Sequence, residues 1–291
     1  MTRKPALNML MALMICPGLV RAVAPTCDAS IHDGEQPRTV ALKALACQLQ
    51  SHRLLLLGEL HGTVESPGLL ADLLRGQPAK RPIRLGLEWP VELQSKVDAY
   101  FRSQGAAADR ATFAAGRDWT YYDGRMSRAW LALIDTLRDL HRQGRDVRVF
   151  TMEPTYGTPA DVAAAGGPVR VKEAGMAKAI GEQLKLAPPG ALVAALMGNY
   201  HSRVGADMPD RESSVTYRLA ADHPMVVLPR SGHGTFWAMV GPASRAAVQT
   251  IKGDEPSLPK GEVVVRTPLD VPAGTTVEEI TIPTFTASPH P

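Results

Sequence analysis

Four short apolar runs, each closed by a glutamate or a histidine, constrain this chain more than any other feature: residues 54–65, 83–88, 147–153 and 191–201. The first places Leu54, Leu55, Leu56 and Leu57 directly before Gly58, Glu59, Leu60 and His61. An unbroken run of this kind reads as a strand buried on both faces, and the glycine marks close approach of backbone to something else. Helix-length segments separate the runs, which is the pattern of βαβ units in a parallel sheet. Ligands of such sheets sit beyond the carboxyl ends of the strands. The expected fold is therefore α/β, a central mainly parallel sheet flanked by helices. If the runs share that sheet, Glu59, His61, Glu88, Glu153 and His201 converge on one edge. Any one of them could equally be a surface charge opening a loop, but four strand ends carrying such side chains make coincidence a poor account.

At 291 residues, with 45% apolar and 21% charged residues, the chain can bury one large core. A net charge of +3, 5% aromatics and no dense Lys/Arg cluster exclude nucleic acid as the expected partner. Arg3 and Lys4 precede an apolar stretch and small residues at Ala22 and Ala24, the layout of a secretory signal peptide over 1–24, with cleavage after Ala22 or Ala24. The stretch is too short to span a membrane, so membrane contact is expected only through an uncleaved or lipidated leader. Lipidation at Cys16 is the weaker reading, because Leu13, Met14 and Ile15 are not the small residues that precede a lipidated cysteine. A periplasmic or secreted protein follows. In such a compartment Cys27 and Cys47 read as a natural disulfide, worth about 3 kcal/mol for a loop of this size, with two unpaired thiols, one of them buried, as the other reading.

Along the chain, an α/β domain is expected over 25–245 and a C-terminal extension over 246–291. Helical spacing is read at 38–49, 91–101, 126–143, 171–186 and 213–222. Ser66 and Pro67 open another helix. Residues 103–125 read as a helical lid holding Trp119, Tyr121, Tyr122, Asp123 and Arg125, and 155–168 as a long loop. For the lid residues packing or a lid salt bridge outweighs substrate contact, whereas Arg203, two residues after His201, reads as a substrate or anion contact. Strands follow at 225–228 and 235–240, with His233 in the turn between them. The extension carries an antiparallel edge strand at 277–282, and its last residues, 283–291, read as disordered.

Imidazoles and carboxylates on one edge suit two hydrolytic schemes. They can hold a divalent metal (zinc, manganese or cobalt) that activates water, with His61, His201, Glu59 and Glu88 as ligands. Alternatively, a histidine held by a carboxylate acts directly as general base. The general absence of a nucleophilic Ser or Cys beside the histidines favours attack by water without a covalent intermediate.

The run Gly58-Glu59-Leu60-His61-Gly62-Thr63, followed by Glu65 and paired with Gly198-Asn199-Tyr200-His201, resembles the twin G-x-x-H signature of the Tiki/TraB, ChaN-like and erythromycin-esterase-like superfamily. Gly86-Leu87-Glu88 fits between the two. The resemblance spans about 54–203 and implies an α/β fold with a cleft at the strand ends. It implies activities of different classes: metal-dependent proteolysis, lactone hydrolysis by a histidine base, or haem binding. Carried over, His61 and His201 become ligands or base with Glu59 and Glu88 assisting, and Glu65 is supporting. Glu153 is supporting on the strand-end argument alone. The leading reading is a hydrolase of an ester or peptide bond in a small molecule or peptide. The alternative is a haem-binding protein with Tyr200, Tyr121, Tyr122 or the histidines as contacts. A non-catalytic scaffold is the third.

Overall fold

The computed structural model describes residues 38–116, 119, 123–204, 210–238, 247–253, 262–266 and 271–291. The four apolar runs become strands β2 (Leu54–Glu59), β3 (Ile83–Pro90), β4 (Val147–Glu153) and β5 (Leu192–Gly198). With β1 (Arg38–Ala41), β6 (Met225–Arg230), β9 (Glu262–Arg266) and β10 (Thr276–Thr281) they form an eight-stranded sheet in the order β1-β9-β10-β6-β2-β5-β3-β4. Every pairing from β10 to β4 is parallel, and β9 is antiparallel to both of its neighbours, β1 and β10. The two most apolar strands, β2 and β5, lie side by side at the centre, in a register that sets Glu59 beside Gly198.

The helices are α1 (Leu42–Gln48), α2 (Glu65–Arg75), α3 (Gln94–Arg102), α4 (Ala107–Ala114), α5 (Arg128–Arg142), α6 (Pro159–Ala164), α7 (Pro168–Leu186) and α8 (Val215–Arg218). Alternation along the central strands divides the core. Leu55, Leu57, Ala194 and Leu196 pack with apolar residues of α1, α2, α3 and α5 on one face, and Leu54, Leu56, Val193 and Met197 with those of α7 and α8 on the other. The result is three layers, helix on sheet on helix. A separate hairpin pairs β7 (Gly234–Ala238) with β8 (Ala247–Ile251).

Several expectations need correction. Residues 38–41 form β1 before α1 begins, because they pair antiparallel with β9. The 155–168 stretch contains α6, nucleated by a capping box between Thr158 and Asp161. The helix at 213–222 breaks into short turns around α8. The strand expected at the edge, 277–282, is interior, held by β6 on one side and β9 on the other, while the expected antiparallel edge is formed by β9 with β1. Residues 283–291 pack against the domain, with Phe285 and Ser288 buried. Within the expected lid, 103–125, most of the described residues are exposed or half-buried, and only a few reach the core. α4 packs on α3, and Phe113 and Trp119 are buried in an aromatic cluster with Trp89 and Trp130, whose stacked rings are 5.6 Å apart. Tyr121, Tyr122, the leader and Cys27 lie outside the described residues; Cys47, the other half of the expected disulfide, is on α1. No helix among the described residues is long and apolar enough to cross a membrane.

Candidate active site

The carboxyl ends of β2, β3, β4 and β5 bring Glu59, Glu88, Glu153 and, just beyond the strands, His61 and His201 to one place. Glu59 is buried at the end of β2 and accepts a 2.5 Å hydrogen bond at Oε1 from His61 Nδ1. Trp130, on the first turn of α5, donates its indole N–H to both Glu59 oxygens at 3.0 Å. A carboxylate fixed in this way holds one ring nitrogen of His61 and leaves Nε2 as the acceptor. That Nε2 lies 3.8 Å from Glu88 Oε2, and the His61 side chain keeps 24% exposure, more than any other group of the cluster's two dyads. Gly198 has no side chain because the ring of His61 fills that space: a Cβ there would sit 2.9 Å from Nε2.

Glu88 is the hub. Its Oε2 accepts the backbone N–H of Gly198 at 2.7 Å. Its Oε1 faces Lys172 Nζ at 2.7 Å, Arg125 Nη1 at 3.4 Å and His201 Nε2 at 3.5 Å. Glu153 shares both cations, pairing with Arg125 and lying 3.3 Å from Lys172, and it accepts the Tyr156 hydroxyl at 3.3 Å. Arg125 also binds Asp123, which holds the guanidinium in place. His201 stands in a second dyad, with Nδ1 3.4 Å from Glu173 Oε1. Glu173 is fully buried on α7 and is clamped by Arg203 and by the Ser213 hydroxyl at 3.1 Å.

The electrostatics follow. Burial alone would raise the Glu88 carboxyl, but the charges of His61, Lys172 and Arg125 outweigh it and hold Glu88 far below the ordinary carboxylate range. Burial opposes charge on His61, yet Glu88 and Glu59 prevail and lift its pKa above 6.5. Burial raises Glu59, and the His61 and Trp130 hydrogen bonds offset only part of that. Burial likewise works against ionised Glu173, but the hydrogen bonds from His201 and Arg203 lower it overall. Burial and Glu153 push the Tyr156 hydroxyl up to about 12.

The expected metal set of His61, His201, Glu59 and Glu88 does not suit a divalent ion. Two cations and a backbone N–H occupy the oxygens of Glu88, and Glu59 is spent on Trp130 and His61, so a metal would be placed against Arg125 and Lys172 with few lone pairs free. Among the described residues no three His, Cys, Asp or Glu side chains are grouped so as to hold an ion.

Other expected residues fall elsewhere. Arg203 is buried in its pair with Glu173, its guanidinium 4.1 Å from the Tyr200 ring centroid, so it is not an open substrate contact. Tyr200 is exposed under that cation. Glu65 stands apart and accepts the Thr286 N–H at 2.9 Å. Lys172, Glu173 and Trp130 were not legible as site residues. Glu173 did leave a signal: with Met176, Ala177 and Ile180 it occupies the buried stripe of α7, where a carboxylate requires a partner.

No family model and no curated protein matches the sequence. Among solved structures the chain is similar to a succinoglycan biosynthesis protein, with a TM-score of 0.58 and 10% identity over 86% of this chain and 92% of that one. It is also similar to an erythromycin esterase variant in its open conformation, with a TM-score of 0.57 and 11% identity over 86% and 98% of the two chains. Identity this low speaks for the fold, and the chain shares the α/β fold of these two proteins.

Proposed function

We propose that this protein is a hydrolase that cleaves an ester of a small molecule, with His61 as the general base that activates water. The observation that carries the reading is the Trp130–Glu59–His61 relay, which presents Nε2 of a partly exposed imidazole beside the strongly anionic Glu88. The erythromycin esterase among the similar folds supports ester chemistry over peptide chemistry. In the reaction, His61 Nε2 takes a proton from water while the water oxygen attacks the carbonyl carbon. The bond to the leaving oxygen then breaks and the imidazolium returns its proton there, giving acid and alcohol. Glu59 and Glu88 stabilise the imidazolium between these steps, the role a buried carboxylate plays in other histidine dyads. Among the described residues neither imidazole has a Ser or Cys hydrogen-bond partner, which supports direct attack by water. A leader over 1–24 would place this activity in the periplasm or outside the cell.

The test is a panel of aryl, alkyl and macrocyclic esters assayed with wild type and His61→Asn in the presence of a chelator. Turnover should persist through chelation and fall roughly 10²–10⁴-fold in the variant. Full activity in His61→Asn would overturn the reading, and loss on chelation that zinc restores would replace it with a metal mechanism.

A further inference from the structure

Segment 283–291 leaves the sheet at the same edge as the candidate site, because β10 runs parallel to β6 and β2. It then threads between the β7 hairpin and the loop that carries His61. Thr235 N–H is accepted by Phe285 O at 2.7 Å, and Ala287 N–H by the Thr235 hydroxyl at 3.0 Å. On the other side Val64 N–H is accepted by Thr286 O at 2.9 Å, and Thr286 N–H by Glu65. Ser288 comes next. Its backbone N–H is donated to Gly62 O at 2.7 Å, one residue past His61, and its hydroxyl oxygen accepts Ala129 N–H at 2.9 Å. Pro289 O then accepts Arg128 N–H at 2.9 Å.

Those last two bonds close the N-terminus of α5. The first amides of a helix have no partner within it, and Ser127, the residue at the cap position of α5, makes no side-chain cap bond. Ser288 and Pro289 supply the missing acceptors from 159 residues or more along the chain. One residue past Ala129 stands Trp130, whose indole holds both oxygens of Glu59. Ser288, buried to 2% exposure, therefore reaches both halves of the His61–Glu59 pair, His61 through Gly62 and Glu59 through Ala129 and Trp130.

We infer that Ser288 is a positioning residue for the His61–Glu59 dyad, tying the histidine loop and the helix that holds the glutamate into one unit. The backbone bond to Gly62 sets the loop, and the hydroxyl bond to Ala129 sets the start of α5. A serine suits both tasks, since its side chain is a short acceptor of the kind that caps helices. The inference deepens the hydrolytic reading of this site, but its structural half can be measured without any substrate.

The experiment compares wild type, Ser288→Ala and Ser288→Thr as full-length protein. Hydrogen exchange is followed at the amides of 62–65 and 128–130 and at the Trp130 indole, alongside ester turnover and thermal midpoint. In Ser288→Ala, exchange at these positions should quicken about tenfold, the size expected for loss of one cap. The thermal midpoint should move by only a few degrees. Turnover should fall about tenfold in kcat with KM unchanged, as for a loss felt only in the transition state, and Ser288→Thr should restore both. Unchanged exchange in Ser288→Ala would overturn the inference. Quickened exchange with unchanged kcat would also overturn it, by reducing Ser288 to a structural tie. If wild type hydrolyses no ester, the hydrolytic reading fails separately, and quickened exchange confined to these two segments would still support the tie.

Discussion

Gly198 shows how tightly the site is drawn at the scale of single residues. Its missing side chain admits the His61 ring, and an added methyl would meet the far end of that imidazole before it met any backbone. Gly198→Ala should therefore displace the His61 ring and leave the sheet intact: under the proposed mechanism kcat should drop roughly 10²-fold, as for a misplacement of about 1 Å, while the thermal midpoint stays within a few degrees. Equal loss of activity and stability would show that the strand itself had moved. His61, Glu59, Glu88 and His201 were legible because each ends an apolar run, and buried parallel strands announce their carboxyl ends in this way. Arg203 was misread for a physical reason. Proximity to His201 in sequence suggested an open cation, whereas the chain turns it inward to neutralise Glu173, a partner 30 residues away that only the folded helix supplies.

Among the elements, α5 and α7 convert a row of strand ends into a site. α5 contributes Trp130, and α7 contributes Lys172 and Glu173 from its first turns. Trp130→Phe keeps the ring stacked on Trp89 but removes the donor that serves both Glu59 oxygens. The cost should be about 1–3 kcal/mol, that of leaving a buried acceptor short of a partner, read as a lower midpoint in urea unfolding with an unchanged slope. Arg125→Met should cost more, about 3–5 kcal/mol, because it leaves Glu88 and Glu153 buried with Lys172 as their shared permanent cation. A variant as stable as wild type would mean that the two carboxylates do not need the guanidinium. Both helices were legible from apolar periodicity at three and four residues. Their chemistry was not, since periodicity reports which face is buried and is silent about what a polar atom on that face will meet.

For the molecule as a whole, the buried charges set a pH range of greatest stability. Glu88 and Glu173 are held below their ordinary value of 4.5, so what they contribute is present above pH 4.5 and is lost as pH falls through their folded values. His61 is raised above 6.5, so its contribution is present below pH 6.5 and is lost as pH rises through its folded value. Glu59, raised by burial, opposes the other carboxylates, its contribution declining as pH rises from 4.5 through its folded value. The thermal midpoint should accordingly be highest between about pH 4.5 and 6.5, and a midpoint that climbs steadily from pH 5 to 8 would contradict the charge assignments. The mainly parallel sheet was legible at this scale because successive apolar runs alternate with helices, but its far side was not. The placement of β9, β10 and 283–291 depends on pairings with β1, β6 and the His61 loop, and a proline-rich stretch carries no periodicity that could reveal partners so distant in sequence. The most direct measurement is the tautomer of His61, read from long-range proton–nitrogen spectra of ¹⁵N-histidine protein at a pH above the ring's titration. Protonation at Nδ1, with Nε2 as the bare acceptor and a titration midpoint above 6.5, is the expected result. A ring protonated at Nε2, or one that titrates below 6.5, would mean that Glu59 does not aim this imidazole at water.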